Sequence, residues 1–318
     1  MPDTHFVIVD VGQLSRSQLA QLLIRIANQQ PSVIAMDMYF PGLGVPTEDT
    51  LWSKALCEAG QRIPVYLAAD LPNPMQPSTK PTQPISHAFF GGCTKTAYAN
   101  LLFDEWIGGR VVRYARLYHH SEIGVELSLA LAAVQALDSS RLPSSLPAPV
   151  LPIRYRGNLA CFYYLSGKDL IQDSLVPPII ANKAVFMGLA DPFHQTLEDI
   201  FFSPLTLRPI VLSNPDMYGV VIHANIASMI LHGSFWQEVP RGVLWLGVGL
   251  VLLVLGLWID TKPRRPWLKV RLGQLFFLVV GGTIFGWLSF QAYWVDAEIF
   301  FLGVLTAGEV VLATAQPS

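Results

Sequence analysis

FVIVDVGQLSRSQLAQLLIRIANQQPSVIAMDM, residues 6–38, decides the fold. Residues 6–11 are a short apolar run of the kind that forms a strand, and it ends at Asp10-Val11-Gly12. Ser15 and Gln18 then fit a capping box, in which each side chain satisfies a backbone amide left free at a helix start. Leu19, Leu22, Leu23 and Ile26 recur at helical spacing on one face. Residues 28–31 end that helix, and residues 33–38 are a second buried strand. Strand, helix and strand in so short a stretch make a βαβ unit, which implies a parallel pair and a right-handed crossover. Asp10 and Asp37 then lie at the carboxyl ends of parallel strands that are neighbours or near neighbours.

The alternation continues outward from this unit. Residues 47–59 form a second helix, opened by Thr47, Glu48 and Asp49. Residues 64–68 are a third strand. Residues 71–84 hold five prolines and no apolar period, which predicts an irregular surface excursion. Residues 98–103 and 110–118 read as a hairpin around Gly108-Gly109. Ser121 caps a helix through Leu137, with Ile123, Leu127, Leu131 and Val134 along one side. Residues 139–152 are a Pro- and Ser-rich loop, strands follow near Ile153 and Cys161, and residues 183–189 are a buried strand. Residues 220–231 form a last apolar helix. The fold class is α/β over residues 1–240, a mixed, mostly parallel sheet with flanking helices.

Residues 242–259 are eighteen consecutive apolar residues, enough to cross a bilayer as a helix. Residues 272–293 and 297–315 are two further apolar runs, so residues 241–318 read as a three-helix transmembrane segment. Lys262, Arg264, Arg265, Lys269 and Arg271 crowd the first connection, while Asp296 and Glu298 sit in the second. The positive-inside rule makes the basic loop cytoplasmic and puts the domain outside. An exported domain needs a targeting segment, and residues 6–9 are too short and lack a basic flank; either an upstream segment precedes them, which is the expectation, or the domain stays inside and the charge rule fails. Within the spans, Gly282 and Gly286 form a small-xxx-small pair suited to close helix approach. Glu309 is a costly carboxylate that should face another helix, hold a proton or meet a polar partner.

Composition narrows the remaining classes. Charged residues are 14% and apolar residues 52%, a skew that the three spans largely explain. Residues 1–240 carry fifteen Lys and Arg against nineteen Asp and Glu, which leaves no basic face for nucleic acid. Cys57, Cys93 and Cys161 have no metal-ligand spacing, and buried free thiols are expected of them. His119, His120, His194 and His232 are too scattered in sequence to suggest a metal, and no cofactor motif is present. No serine lies in a nucleophile elbow.

Several segments together resemble a known family. FVIVDVG at residues 6–12 is similar to the opening strand, with its Asp, of the second class of CHASE domains. SQLAQLLIRIANQQPSVIAMDMYFPG from Ser17 resembles the following helix and the strand that ends in an acidic residue, here Asp37. IRYRG at 153–157 resembles a Tyr-Arg-Gly turn, and NKAVFMGLAD at 182–191 a late strand followed by Gly. DIFFSPL at 199–205 has Ser203 where the family pattern has Thr. GVVIHANIASMILHG at 219–233 resembles the His-Ala-Asn helix that precedes the membrane. The family's Trp-Pro-Trp turn after the first strand is replaced by Gln13-Leu14-Ser15-Arg16, which marks a divergent branch. The resemblance implies an extracellular sensory module that detects a small-molecule or protein signal. Such modules usually continue into an effector domain, and no effector follows the spans in this sequence.

Candidate site residues follow from these placements. Open α/β sheets bind ligands at the carboxyl edge, where Asp10 and Asp37 can hold a cation or act as acid and base; the structural alternative is that each accepts backbone amides in its turn. His223 and Asn225, at the start of the last helix, either contact a ligand or brace the domain above the membrane. Asp199 is a loop lock or a pocket residue. The function expected is a membrane-anchored sensor without its own output domain, not an enzyme, working as a homodimer or through a separate cytoplasmic effector. The rival readings are a membrane-bound, metal-assisted hydrolase using Asp10 and Asp37, and a structural assembly module.

Overall fold

The computed structural model describes residues 2–72, 80–84, 86, 88–106, 109–141, 148–172, 177–192, 198–205, 214–238 and 293–294. The chain forms two units, Met1–Phe235 and Trp236–Ser318. In the first, β1 (Asp3–Asp10) leads through α1 (Arg16–Ala27) to β2 (Val33–Met36), and α2 (Pro46–Gly60) to β3 (Val65–Asp70). Next come β4 (Gln83–Pro84), α3 (Ala88–Gly91), β5 (Lys95–Tyr98), β6 (Leu102–Trp106), β7 (Gly109–Arg116), β8 (Tyr118–Ser121) and β9 (Gly124–Leu127). The unit closes with α4 (Leu129–Leu137), β10 (Val150–Pro152), β11 (Phe162–Ser166), α5 (Gly167–Gln172), β12 (Ala184–Gly188), β13 (Ile200–Phe201), β14 (Met217–Tyr218) and α6 (Gly219–Leu231).

The local rules hold where the sequence states them most directly. The Ser15 side chain accepts from the Gln18 amide, and the Gln18 side chain accepts from the Ser15 amide, so the capping box is formed. Leu19, Leu22, Leu23 and Ile26 are buried on one face of α1. Pro46 at the first turn of α2, followed by Glu48 and Asp49, suits a helix start whose amides are unpaired and whose dipole end is positive. Arg16 pairs with the buried Asp49, tying α1 to α2.

The main sheet has seven strands in the order β11-β1-β12-β2-β3, with β4 and β5 both pairing with β3. Every pairing is parallel except β3 with β4. Phe6 through Val9 are fully buried because β1 is covered on both faces, which is why its sequence reads as continuous rather than alternating. Val7, Val9, Ile34, Met36, Val65 and Leu67 pack with α1 and α2 on one side. Phe6, Ile8, Val33, Ala35 and Ala68 pack with α4 and α6 on the other. β1 and β2 are parallel but not adjacent. β12 lies between them, with Asp10 opposite Gly188 and Val33 opposite Ala184.

Three sequence expectations change. The hairpin around residues 108–109 is β6 and β7, joined by β10 in a small antiparallel sheet, but Tyr98 belongs to β5. Ser121 caps no helix: it ends β8, which pairs with β9, and Ile123 sits exposed at the hairpin tip. The helix is α4, capped by Ser128, whose side chain accepts from the Leu131 amide; Leu131 and Val134 are buried in it. Cys57 and Cys93 are joined in a disulfide, and only Cys161 keeps a free thiol. The chain around α3 brings Cys93 back against the end of α2. There Gly60 meets the Cys93 carbonyl so closely that no Cβ fits.

α6 is buried along its whole length, which explains why it is apolar all round. In the second unit, β15 (Gln237–Glu238) pairs in parallel with β16 (Tyr293–Trp294). Among the described residues no helix is long and apolar enough to cross a membrane. The three expected spans, with Gly282, Gly286 and Glu309, lie outside the described residues.

Candidate functional site

The start of α6 gathers three of the residues singled out in the sequence. Asp37 follows β2 immediately, and its amide donates to the Met187 carbonyl at 2.8 Å, fixing it at the carboxyl edge of the sheet. Asp199 precedes β13 in a left-handed conformation, φ 54°, and its carbonyl accepts from the Gly219 amide at 3.0 Å. Both carboxylates converge on Gly219, the first residue of α6. A Cβ there would stand 2.8 and 3.0 Å from the Asp199 oxygens and 3.1 Å from Asp37 Oδ2, so any larger residue would push the carboxylates aside. One turn along the helix, His223 places Nε2 3.8 Å from Asp37 Oδ2.

The electrostatics of this group are unusual. Burial raises the pKa of Asp37. Burial, then the Asp37 charge, raises that of Asp199, since neighbouring carboxylates resist double ionisation. Burial pushes His223 down to about 4, against a weaker opposing influence of the Ala99 backbone, so its ring is neutral near pH 7. Neither ring nitrogen has a well-formed hydrogen bond, and each is shielded from water. Tyr39 is raised by burial and then by the charges of Asp37, Asp199 and Asp70, which keeps its phenol protonated beside the pair. Asp199 is exposed as a residue, while its carboxylate is turned in against Gly219. The positive end of the thirteen-residue α6 faces the same carboxylates.

The other two residues belong to different surroundings. Asp10 Oδ1 accepts from the Gly12 and Ala190 amides at 3.1 and 3.0 Å, locking the turn after β1 to the end of β12. β12 separates Asp10 from Asp37, and their carboxylates have different neighbours. Asn225 Oδ1 accepts from the Arg156 and Gly157 amides, and its Nδ2 donates to the Gly157 and Val221 carbonyls. The His-Ala-Asn helix and the Tyr-Arg-Gly turn are thus one clamped unit. The loop at Ser203 is held by Asp216, which accepts from both the Ser203 amide and hydroxyl at 2.6 Å. Asp199 is left free to face α6. A cavity of about 360 Å³ opens beside the start of α6, lined by Tyr164, Asp191, Asp216, Tyr218 and Val221 among others.

One polar cluster escaped the sequence reading. Asp3 is buried at the start of β1 and binds Ser228 Oγ of α6 at 2.6 Å, Nε2 of His232, which caps α6, at 2.9 Å, and His5 Nδ1 at 3.2 Å. Burial alone would raise the Asp3 pKa, but these hydrogen bonds and the His5 amide hold it below the usual carboxylate range. The signal was available in two spacings: Asp3 and His5 share a face of a strand, and Ser228 and His232 share a face of a helix.

A family model for the CHASE2 domain matches residues 8–259. No curated protein and no solved structure matches the chain. The matched stretch runs from within β1 through α6 and includes Asp37, Asp199, the Tyr-Arg-Gly turn and the His-Ala-Asn helix. The chain therefore belongs to the CHASE2 domain family, a family of sensory rather than catalytic modules.

Proposed function

We propose that this protein is a membrane-anchored sensor whose α/β domain faces the outside and reads its signal at the Asp37–Asp199 pair. The observation that carries this reading is the convergence of both carboxylates on Gly219, at the first residue of the helix that ends just before the second unit. A cation or a donor-rich ligand entering beside Asp199 displaces the pair's proton and holds both carboxylates ionised. Two charges then act on the end of α6 where one acted before. Such a ligand favours one of two arrangements of α6 by its differential affinity for them. The change passes through three spans to a partner in or below the membrane, either a second copy of the chain or a separate cytoplasmic effector.

Two further features support the orientation. The Cys57–Cys93 disulfide suits an oxidising compartment. Residues 237–238 pair in parallel with 293–294, as they would if the proposed segment between them crossed twice and returned to the side it left.

Cysteine-accessibility labelling of intact cells and inverted membranes tests the proposal. Single cysteines within residues 73–79 and 262–271 are placed in a Cys161→Ser background that keeps the disulfide. The first labels only from outside and the second only from inside. A cytoplasmic 73–79 loop overturns the proposal.

A further inference from the structure

We propose that Asp3, His5 and His232 form a binding site for one divalent transition-metal cation, zinc foremost, which joins the start of β1 to the end of α6. The donor atoms of the three residues all lie within 4.8 Å of one another. Two imidazoles and one carboxylate are a donor set that zinc takes in open, three-ligand sites, with water in the fourth position. Magnesium and calcium, which take oxygen donors, fit it poorly. The site lies at the amino-terminal end of β1, whereas the Asp37–Asp199 pair lies at the carboxyl edge, and it does not depend on what that pair binds.

The surroundings are built for a fixed carboxylate. Asp3 is 1% exposed; Ser228 Oγ donates to its Oδ2 at 2.6 Å and the His5 amide to its Oδ1 at 3.1 Å, so each oxygen is held by its own donor. Support of this kind around a ligand sets its direction and its affinity. His5 and His232 remain about one-third exposed, so an ion has a path in. Their rings meet edge-on, with centroids 5.5 Å apart. A cation takes the place of the direct imidazole–carboxylate contacts. The competitor is Arg156, whose Nη1 stands 3.6 Å from Asp3 Oδ2. Its guanidinium is partly exposed and swings into water when the ion enters. His232 caps α6 only a few residues before the second unit begins at Trp236, so a bound ion stiffens the exit of the helix.

The test uses the full chain, purified in detergent with an affinity tag that contains no histidine. It is titrated with Zn²⁺ by calorimetry and with Co²⁺ by visible absorption. One equivalent of Zn²⁺ is expected, with Co²⁺ bands of a low-coordinate nitrogen–oxygen site. His5→Gln and His232→Gln each abolish both signals. Ser228→Ala weakens binding about 10–100-fold, and Cys161→Ser leaves it unchanged. Each variant is compared with the parent by its melting curve. Should His232→Gln fail to fold, His5→Gln, on a side chain about one-third exposed, carries the test. Absence of Zn²⁺ binding by the folded parent, or unchanged binding by His5→Gln, overturns the proposal.

Discussion

The pH response of the carboxylate pair can be worked out residue by residue. Asp37 and Asp199 are raised from 3.8, so the folded chain holds protons that the unfolded chain releases, and stability falls as pH rises from about 4 through neutrality. His223 is lowered from 6.5 to about 4, so its contribution is lost as pH falls through that interval. Below pH 6.5 the two trends oppose each other; of these three groups, the pair alone titrates between pH 6.5 and about 8. Thermal unfolding of the parent should therefore show a melting temperature that declines with pH above 6.5, by about 2–4 °C for each kcal/mol lost. Asp37→Asn/Asp199→Asn should remove the decline, and an equal slope in both proteins would reject the shared proton. Asn225→Ala makes a separate prediction. It leaves the Arg156 and Gly157 amides without their acceptor, at about 1–3 kcal/mol for each one buried, measurable by chemical denaturation. At this scale the sequence was partly legible. Asp37, Asp199 and His223 drew notice as single residues, but their meeting depends on Gly219 and on a long-range return of the chain. No local pattern encodes that. Asp3 lay at the edge of the reading, before the apolar run began.

Among the elements, those with a strong period and a cap were readable, and those with a short amphipathic pattern were not. α1, α2, β1, β2, β3 and β12 fall where the apolar runs predict them. The error at Ser121 has a simple cause: Ile123 and Leu127 are four residues apart, a spacing shared by one face of a helix and alternate pairs on one face of a strand. The hairpin wins because His119 pairs with Glu126 and Ser121 with Gly124 across β8 and β9. The disulfide is illegible in the sequence for another reason, since three scattered cysteines carry no spacing signal and the α2–α3 contact is tertiary. Opening it should be costly. Cys57→Ser/Cys93→Ser frees a loop with a separation of 36 residues and is expected to lower stability by about 2–4 kcal/mol. Denaturation of the two proteins side by side checks it. Gly60→Ala should perturb the same junction without touching the sulfurs, because its methyl meets the Cys93 carbonyl.

For the whole molecule, the α/β class and the mostly parallel sheet were legible, whereas the strand order was not. The sequence gives the direction of each βαβ step but not which later strand enters the gap. If the chain signals as a dimer through the proposed spans, Gly282→Leu/Gly286→Leu should abolish crosslinking between copies while leaving the melting curve of the α/β domain in place. Crosslinking that survives the change would place the contact elsewhere. The position of β12 bears finally on biosynthesis. β1 and β2 leave the ribosome early, but each waits for a shared partner that ends at Gly188. Until then the nascent chain carries two apolar strands with open edges, which are aggregation-prone. Such a chain calls for a holding chaperone wherever it emerges, and fragments cut before residue 184 should be recovered as insoluble material.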